Sequence, residues 1–474
     1  MKSLKLNMIL NTIRGILKVL FPLITFPYIS KVLGVESIGA YNFALSIITY
    51  FVYFANLGIT DYGTRDAAYV RDDKNQFELF ISEVYTINII SMVVSYFILI
   101  ISIFASEKLY AYGALLFILS LDIPLRTIGV EWVFGAKEEY LYITVRSIIF
   151  QIVSLVLMFW LVRKPEDLLI YAGITVFSSA GSNILNRIKA KEYCKIRICK
   201  KTNFKKHLRP MLYIFATSIA STIYVNSDVT LLGIFCGDSV VGVYSVSVKV
   251  YTIVKSLLAS TFVVAVPRMS AYFSKGDLKS FDETARNVFC ILSSLMLPAI
   301  VGMIVLNKQI VLIVSSPEYL SAQNSLIILS CALLFSLGSW FVSYCILIPT
   351  GNERTVLIAT IVSTVLNVSL NLLLIGTWKE IAASMTTVIS ELICFVIVFV
   401  KSINYVSYKR IVPTLCKAAI GTIAILVING VVSRSGYGLY LHTIVVISLS
   451  VFVYIAIELI LKNESIKGLL KIKR

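Results

Sequence analysis

Long apolar blocks alternate with short polar connections along this chain, and the blocks have nearly constant length. Fourteen of them lie near 10–33, 37–60, 79–103, 111–133, 142–162, 168–187, 210–235, 241–265, 286–306, 321–348, 355–375, 380–401, 411–432 and 440–461. At 1.5 Å per residue, about 20 helical residues span the ~30 Å hydrocarbon core of a bilayer. Each block therefore predicts a transmembrane helix, and the chain reads as an all-α polytopic membrane protein of about 14 spans. The polar positions between blocks set the orientation. With the N-terminus in the cytosol, inward segments, with Arg187, Arg286 and Lys401 at the inner span ends counted among them, hold 29 Lys and Arg residues against 6 on outward loops, and 8 lie deeper within spans. Inward loops rich in Lys and Arg are the normal arrangement, so both termini are placed in the cytoplasm. The basic stretch IKAKEYCKIRICKKTNFKKHLRP (188–210) reads as a cytoplasmic linker that anchors the topology and suits anionic headgroups.

The pattern also repeats. Displaced by 203 residues, Gly34-x4-Gly39-x-Tyr41 falls on Gly237-x4-Gly242-x-Tyr244, and Arg65-x-x-Ala68-Tyr69 falls on Arg268-x-x-Ala271-Tyr272. Six spans separate the copies, which gives them the same orientation and predicts two six-helix bundles in parallel repeat. The expected division is an N-terminal bundle (1–187), the basic linker (188–210), a second bundle (211–402), and an added helix pair with a basic tail (403–474). Two bundles joined by short loops suit a carrier that opens alternately to either side.

Composition supports this picture and narrows it. The chain is 58% hydrophobic and 15% charged, with a mean hydropathy of +0.86 and a net charge of +17. Because the surplus charge sits on short membrane loops, it argues against nucleic-acid binding. The eight cysteines are scattered. Cys194 and Cys199 have neither the spacing nor the histidine partners of a zinc site, so free thiols and no metal are expected. The charged start MKSLKLNMIL leads into a long apolar segment with no small-residue cleavage site, and reads as a retained first span.

The ionisable residues inside the spans carry the chemistry, because a charge in hydrocarbon is costly and usually faces a water-filled path. Arg14 and Lys18 lie four residues apart on one face of span 1, which also contains Pro22 and Pro27. Span 8 carries Lys249 and Lys255, span 4 carries Asp122, Arg126 and Glu131, span 7 carries Asn226 and Asp228, and span 12 carries Glu391. Arg146, at the start of span 5, reads as snorkelling to the headgroups, and Lys417 lies in span 13. The excess of cations implies a large anionic cargo. Arg14, Lys18, Arg126, Lys249, Lys255 and Asn226 are the candidate binding residues; Asp122, Glu131, Asp228 and Glu391 are the candidates for gating or for coupling to an ion.

The segment LGVESIGAYNFALSIITYFVYFANLGITDYGTRDAA (33–68) resembles the Wzx-type polysaccharide flippases of the multidrug/oligosaccharidyl-lipid/polysaccharide exporter superfamily. EWVFGAKEEYLYITVRSIIF (131–150) looks like that family's aromatic turn after span 4, with Gly135-Ala136 where Gln-Gly is common, and IYVNSDVTLLGIF (223–235) is similar to its span 7. The resemblance implies a multidrug-exporter-like fold and a defined task. That task is to flip an undecaprenyl-diphosphate-linked oligosaccharide from the inner to the outer leaflet of a bacterial plasma membrane, for capsule or O-antigen assembly. It implies no enzyme activity and no cofactor beyond a coupling proton or sodium ion. Its partners would be membrane lipids and the polysaccharide polymerase and chain-length machinery. A multidrug exporter and a peptidoglycan lipid-precursor flippase are the nearest alternatives. A membrane-embedded glycan polymerase or acyltransferase is more distant, because the outward loops are short and the histidines number two, His207 and His442.

Overall fold

A computed structural model of the chain describes residues 4–199, 203–408 and 411–463, with side chains from Phe21 onward. All regular elements among them are helical. Eleven helices are long and apolar enough to cross a membrane, where fourteen spans are expected. The difference has a physical source in three segments. Helix α1 (Leu4–Asn56) runs 53 residues, but Gly34 adopts φ 75° in its interior, a left-handed angle that glycine reaches without a Cβ penalty. Helix α17 (Glu353–Ser402) runs 50 residues and bends at Lys379, φ 47°. At 1.5 Å per residue, either helix would extend about 75–80 Å if straight, more than twice the hydrocarbon core. The expected span at 111–133 is broken into α5 (Gly113–Ser120), α6 (Asp122–Gly129) and α7 (Glu131–Ala136), with Val130 left-handed at the last break.

The chain divides into two compact units, residues 1–242 and 243–474. In the first, α1 turns through Leu57 and Gly58, both left-handed, into α2 (Ile59–Tyr69), where Asn56 Oδ1 accepts the Thr60 amide proton. The Asp73 carboxylate caps α3 (Lys74–Ala105) by accepting from the amides of Asn75 and Gln76. After the short α4 (Glu107–Ala111) and the broken span, α8 (Tyr140–Leu161) precedes α9 (Leu168–Val176), a π-helical turn at Phe177–Gly181, and α10 (Asn183–Ala190). Tyr62, Phe77, Phe80, Trp132 and Phe134 form one core at the α2 end, and Tyr41, Ile48, Leu99, Leu116 and Ile123 form a second. Val93, Phe97, Ile101 and Phe104 on α3 are exposed, as are Ile149, Ile152, Val156 and Trp160 on α8. Lipid covers such faces at no cost, so exposure here is what a bilayer protein requires.

Helix α11 (Phe204–Phe235) packs antiparallel on the second half of α1: Phe54 meets Phe215, Tyr50 and Ser46 meet Thr230, and Phe43 meets Gly233. In the second unit, α12 (Asp238–Val263, which begins in the first unit) and α13 (Val266–Ser274) precede α14 (Leu278–Val305). The short α15 (Asn307–Val314) leads to α16 (Ala322–Phe341), the most buried span, which is held between α14 and α17. The pair α18 (Val412–Val432) and α19 (Leu439–Ile460) packs on α14, fastened where Tyr454 donates to the Ser294 carbonyl and Asn463 to Ser294 Oγ and the buried Glu458.

Candidate functional site

The intramembrane charges fall into separate groups, two of which lie at the broken span of the first unit. At the broken span of the first unit, Arg126 donates through Nε to Asp122, one helical turn away, and Asp122 also accepts from Ser179 Oγ at 2.8 Å. Ser179 is available there because it sits on the π-helical turn, which displaces its side chain from an α-helical position. Half of the Arg126 side chain is exposed. One turn further, Arg146 Nη2 meets Glu131 Oε2 at 2.6 Å and its Nη1 reaches the Ser182 carbonyl at 3.3 Å. The Arg146 side chain is 3% exposed. It does not snorkel: the end of α6 and the start of α7 bring an acid to it inside the bundle.

Of the span 7 residues, Asn226 donates to the Thr222 carbonyl of its own helix at 3.0 Å, and Asp228 is buried and engaged in a polar interaction. Lys249 on α12 is half-buried and likewise engaged. In the second unit, Lys255 Nζ lies 3.3 Å from Glu391 Oε1, with the rings of Tyr251 and Trp340 at 5.5 and 5.6 Å from the ammonium. Arg14 and Lys18 lie on α1, but their side chains fall outside the described residues. Among the described residues, the structure thus joins Arg126 to Asp122 and Arg146 to Glu131 in the first unit, and Lys255 to Glu391 in the second.

Three polar groups were not anticipated. His207 is fully buried, with Nδ1 2.7 Å from Tyr62 Oη and Nε2 3.0 Å from Glu83 Oε2. Glu83 Oε1 also accepts from the Asn203 amide, so one carboxylate holds the start of α11 to α3. By sequence His207 belongs to the basic linker, because its tyrosine and glutamate partners are 145 and 124 residues away. His207→Ala should cost about 1–3 kcal/mol, the range for leaving buried hydrogen-bond partners unmet. Thermal unfolding in detergent would check this, and a transition unchanged from wild type would contradict it. Within α17, Asn371 donates to Asn367 at 3.2 Å and accepts from Thr386 at 2.9 Å, with Ser390 alongside. The i,i+4 asparagines in an apolar block were visible signals for this cluster. Glu458, in the last predicted block, was visible too; its Ser294 and Asn463 neighbours were not.

The repeated glycines meet. Gly34 and Gly237 are both left-handed, φ 75° and 90°. A methyl group at Gly39 would fall inside the carbonyl oxygen of Asp238, and one at Gly242 inside the carbonyl oxygen of Val35. The 203-residue displacement carries Gly39 to Gly242 and Val35 to Asp238, so the two contacts are the same contact made twice, in opposite senses. Tyr112 adds a 2.6 Å hydrogen bond to Asp238, and Lys108 donates to the Ile234 carbonyl at 2.7 Å.

Among the described residues no three His, Cys, Asp or Glu side chains gather as a metal site, and the cysteines are free. Burial pushes the Cys194 thiol up to about 11, which keeps it protonated and poor as a ligand. An apolar cavity of about 380 Å³ between α14, α18 and α19 offers only Ser450 and Tyr454 as polar lining, which unsuits it for a charged group. In the first unit, an open cavity of about 410 Å³ is lined by Arg65, Arg209 and Tyr213 over Pro210 and Ile214.

Residues 4–273 match the family model described as polysaccharide biosynthesis protein, and residues 214–373 match the MatE model. A protein of Escherichia coli (strain K12) named "Putative O-antigen transporter" is 23% identical over 397 residues, covering 82% of this chain and 94% of its own. A "Probable low-salt glycan biosynthesis flippase" of Haloferax volcanii is 27% identical over 178 residues, 38% of either chain. Among solved structures, the lipid II flippase MurJ in an inward closed conformation superimposes with a TM-score of 0.75 at 16% identity, covering 98% of this chain and 100% of that one. An inward-facing multidrug resistance MATE family transporter gives 0.62 at 14% identity, over 86% and 98% of the two chains.

Proposed function

The chain belongs to the family described as polysaccharide biosynthesis protein, matched over more than half its length, and from that membership we propose that it is a lipid-linked oligosaccharide flippase. The cargo is an oligosaccharide on undecaprenyl diphosphate, carried from the inner to the outer leaflet of a bacterial plasma membrane for surface polysaccharide assembly. Relatives named as an O-antigen transporter and a glycan flippase support this cargo class and speak against an enzyme. The likeness to MurJ is one of fold, and a peptidoglycan precursor is the second reading it favours.

The observation that carries the proposal is Arg126. A half-exposed guanidinium held through Nε by Asp122 still carries two Nη groups, a planar fork that matches two phosphate oxygens. Arg14, Lys18, Lys249, Lys255 and Asn226 complete the proposed path for the diphosphate and glycan. Asp122, Glu131, Asp228 and Glu391 provide carboxylates for gating or for a coupling proton or sodium ion. Both termini are cytoplasmic in this reading, the two six-helix bundles alternate access, and 188–210 links them. An inside-negative potential assists the outward stroke by about 2.3 kcal/mol per negative charge per 100 mV. Hand-over to a polymerase and chain-length machinery follows on the outer face.

The test is leaflet accessibility of a lipid-diphosphate oligosaccharide in vesicles with and without the protein. Outward appearance about tenfold faster with protein, and slowed by Lys249→Ala, is the expected result. Equal movement with and without protein, or dye efflux in its place, would reject the flippase in favour of a drug exporter.

A further inference from the structure

The geometry points to a small polar site inside the second unit, where an anionic group and a proton are taken up together, formed by Lys255, Glu391, Tyr251, Ser336, Ser363 and Trp340. It deepens the function proposed above and rests on that reading only for the identity of the anion.

The Lys255–Glu391 pair is a long one. Its 3.3 Å separation exceeds the 2.7–2.9 Å usual for a charge-assisted bond. The Glu391 side chain is 6% exposed and that of Lys255 is 23% exposed, so the lysine alone reaches open space. Around the pair, three buried hydroxyl oxygens have no hydrogen-bond partner: Tyr251 Oη, Ser336 Oγ and Ser363 Oγ. Tyr251 Oη lies beside Lys255 and Ser336 without meeting hydrogen-bond geometry, and Ser363 lies beside Cys394, one turn along α17 from Glu391. Buried hydroxyls in native proteins are nearly always satisfied, and a cluster of unsatisfied ones marks a place prepared for a polar group. Hydroxyls that donate, gathered round an ammonium, select an acceptor: a phosphate oxygen.

Such a group would take Lys255 from Glu391. Two anions cannot both stay ionised a few ångströms apart in a low-dielectric interior, so Glu391 takes a proton from water, its carboxylate becoming a carboxylic acid. No covalent bond to the cargo forms or breaks, and release reverses both events, with one proton moving for each anion bound. The titratable groups facing Glu391 are Lys255 and Tyr251 from α12 and Cys394 from its own helix. Helix α16 contributes Trp340, Ser336 and Ser339, none of which titrates in the working range. With Lys255 positive and the other two neutral, the carboxylate is the group that must change.

The experiment uses the full chain in lipid nanodiscs, with inorganic pyrophosphate and farnesyl diphosphate as probes. Infrared difference spectra on adding either probe should show a carboxylic-acid band that is missing in Glu391→Gln. Affinity should rise about tenfold for each unit of falling pH relative to Glu391→Gln, which shares the probe's own titration, as one linked proton requires. Lys255→Met should lose the binding. A probe that binds without the band, a band that survives Glu391→Gln, or binding indifferent to Lys255→Met would each overturn the exchange, and so would no binding at all. If the band appears but vesicle flipping does not, the cargo reading fails and the exchange site stands.

Discussion

Gly39→Ala is expected to lower transport about a hundredfold while leaving membrane insertion intact, and Gly242→Ala is expected to do the same. The substitution adds one methyl group, and in an exposed helix it would favour folding by about 1 kcal/mol. Any loss must therefore come from the contact. At Gly39 the new Cβ would fall within the Asp238 carbonyl, and at Gly242 within that of Val35; both neighbours are backbone and cannot rotate away. The two turns would have to separate, at a cost at or above the ~1–3 kcal/mol of ordinary overpacking. In the orientation proposed here these turns lie on the outer side. If they part during the cycle, the penalty falls only on the closed state, and about 2.7 kcal/mol corresponds to a hundredfold change in its population. Flipping in vesicles gives the rate. Labelling of a cysteine at Val35, which is half-buried, reports the opening. Gly430→Ala is the control, because nothing lies within 4 Å of its added methyl. Wild-type flipping by both variants would show that the crossing plays no part in closure.

What the sequence made legible follows from the range over which each signal acts. Apolar block length is local, so the helical membrane fold could be read directly. Helix breaks are harder to place. The repeat marked Gly34 because two copies share it, whereas the left-handed turn at Lys379 leaves no residue preference to read. The repeat identified Gly39 and Gly242 as equivalent but could not show that they touch, because contact depends on how distant helices pack. Partner choice behaved likewise. Asp122 and Arg126, four residues apart, were readable as a pair and are one. Lys255 and Glu391 are 136 residues apart, so the sequence offers them as separate binding and coupling groups, whereas the structure brings them together. The buried His207 was missed for the same reason.

For Arg146, burial changes the expected outcome of substitution. As a snorkelling residue, it could be replaced by alanine with little consequence. The structure instead encloses its guanidinium, pairs Nη2 with Glu131 and Nη1 with the Ser182 carbonyl, and leaves Nε without a partner. Breaking a buried pair by removing one member costs about 3–5 kcal/mol, because the other charge remains uncompensated. Glu131 is about one-third exposed, so water relieves part of that penalty and Arg146→Ala should fall near 3 kcal/mol. The orphaned Nε means that the pair itself is imperfectly satisfied, so removing both charges should cost less than removing one. Arg146→Met with Glu131→Gln keeps the volume, discards the charges, and should recover most of the loss. Thermal unfolding of the four combinations in nanodiscs closes a double-mutant cycle, in which the coupling between the two positions appears directly. A coupling near zero would return Arg146 to the headgroups. A strong coupling, with flipping retained in the Met/Gln double variant, would assign the pair to the stability of the broken span and leave Arg126 as the cation of that bundle that meets the cargo.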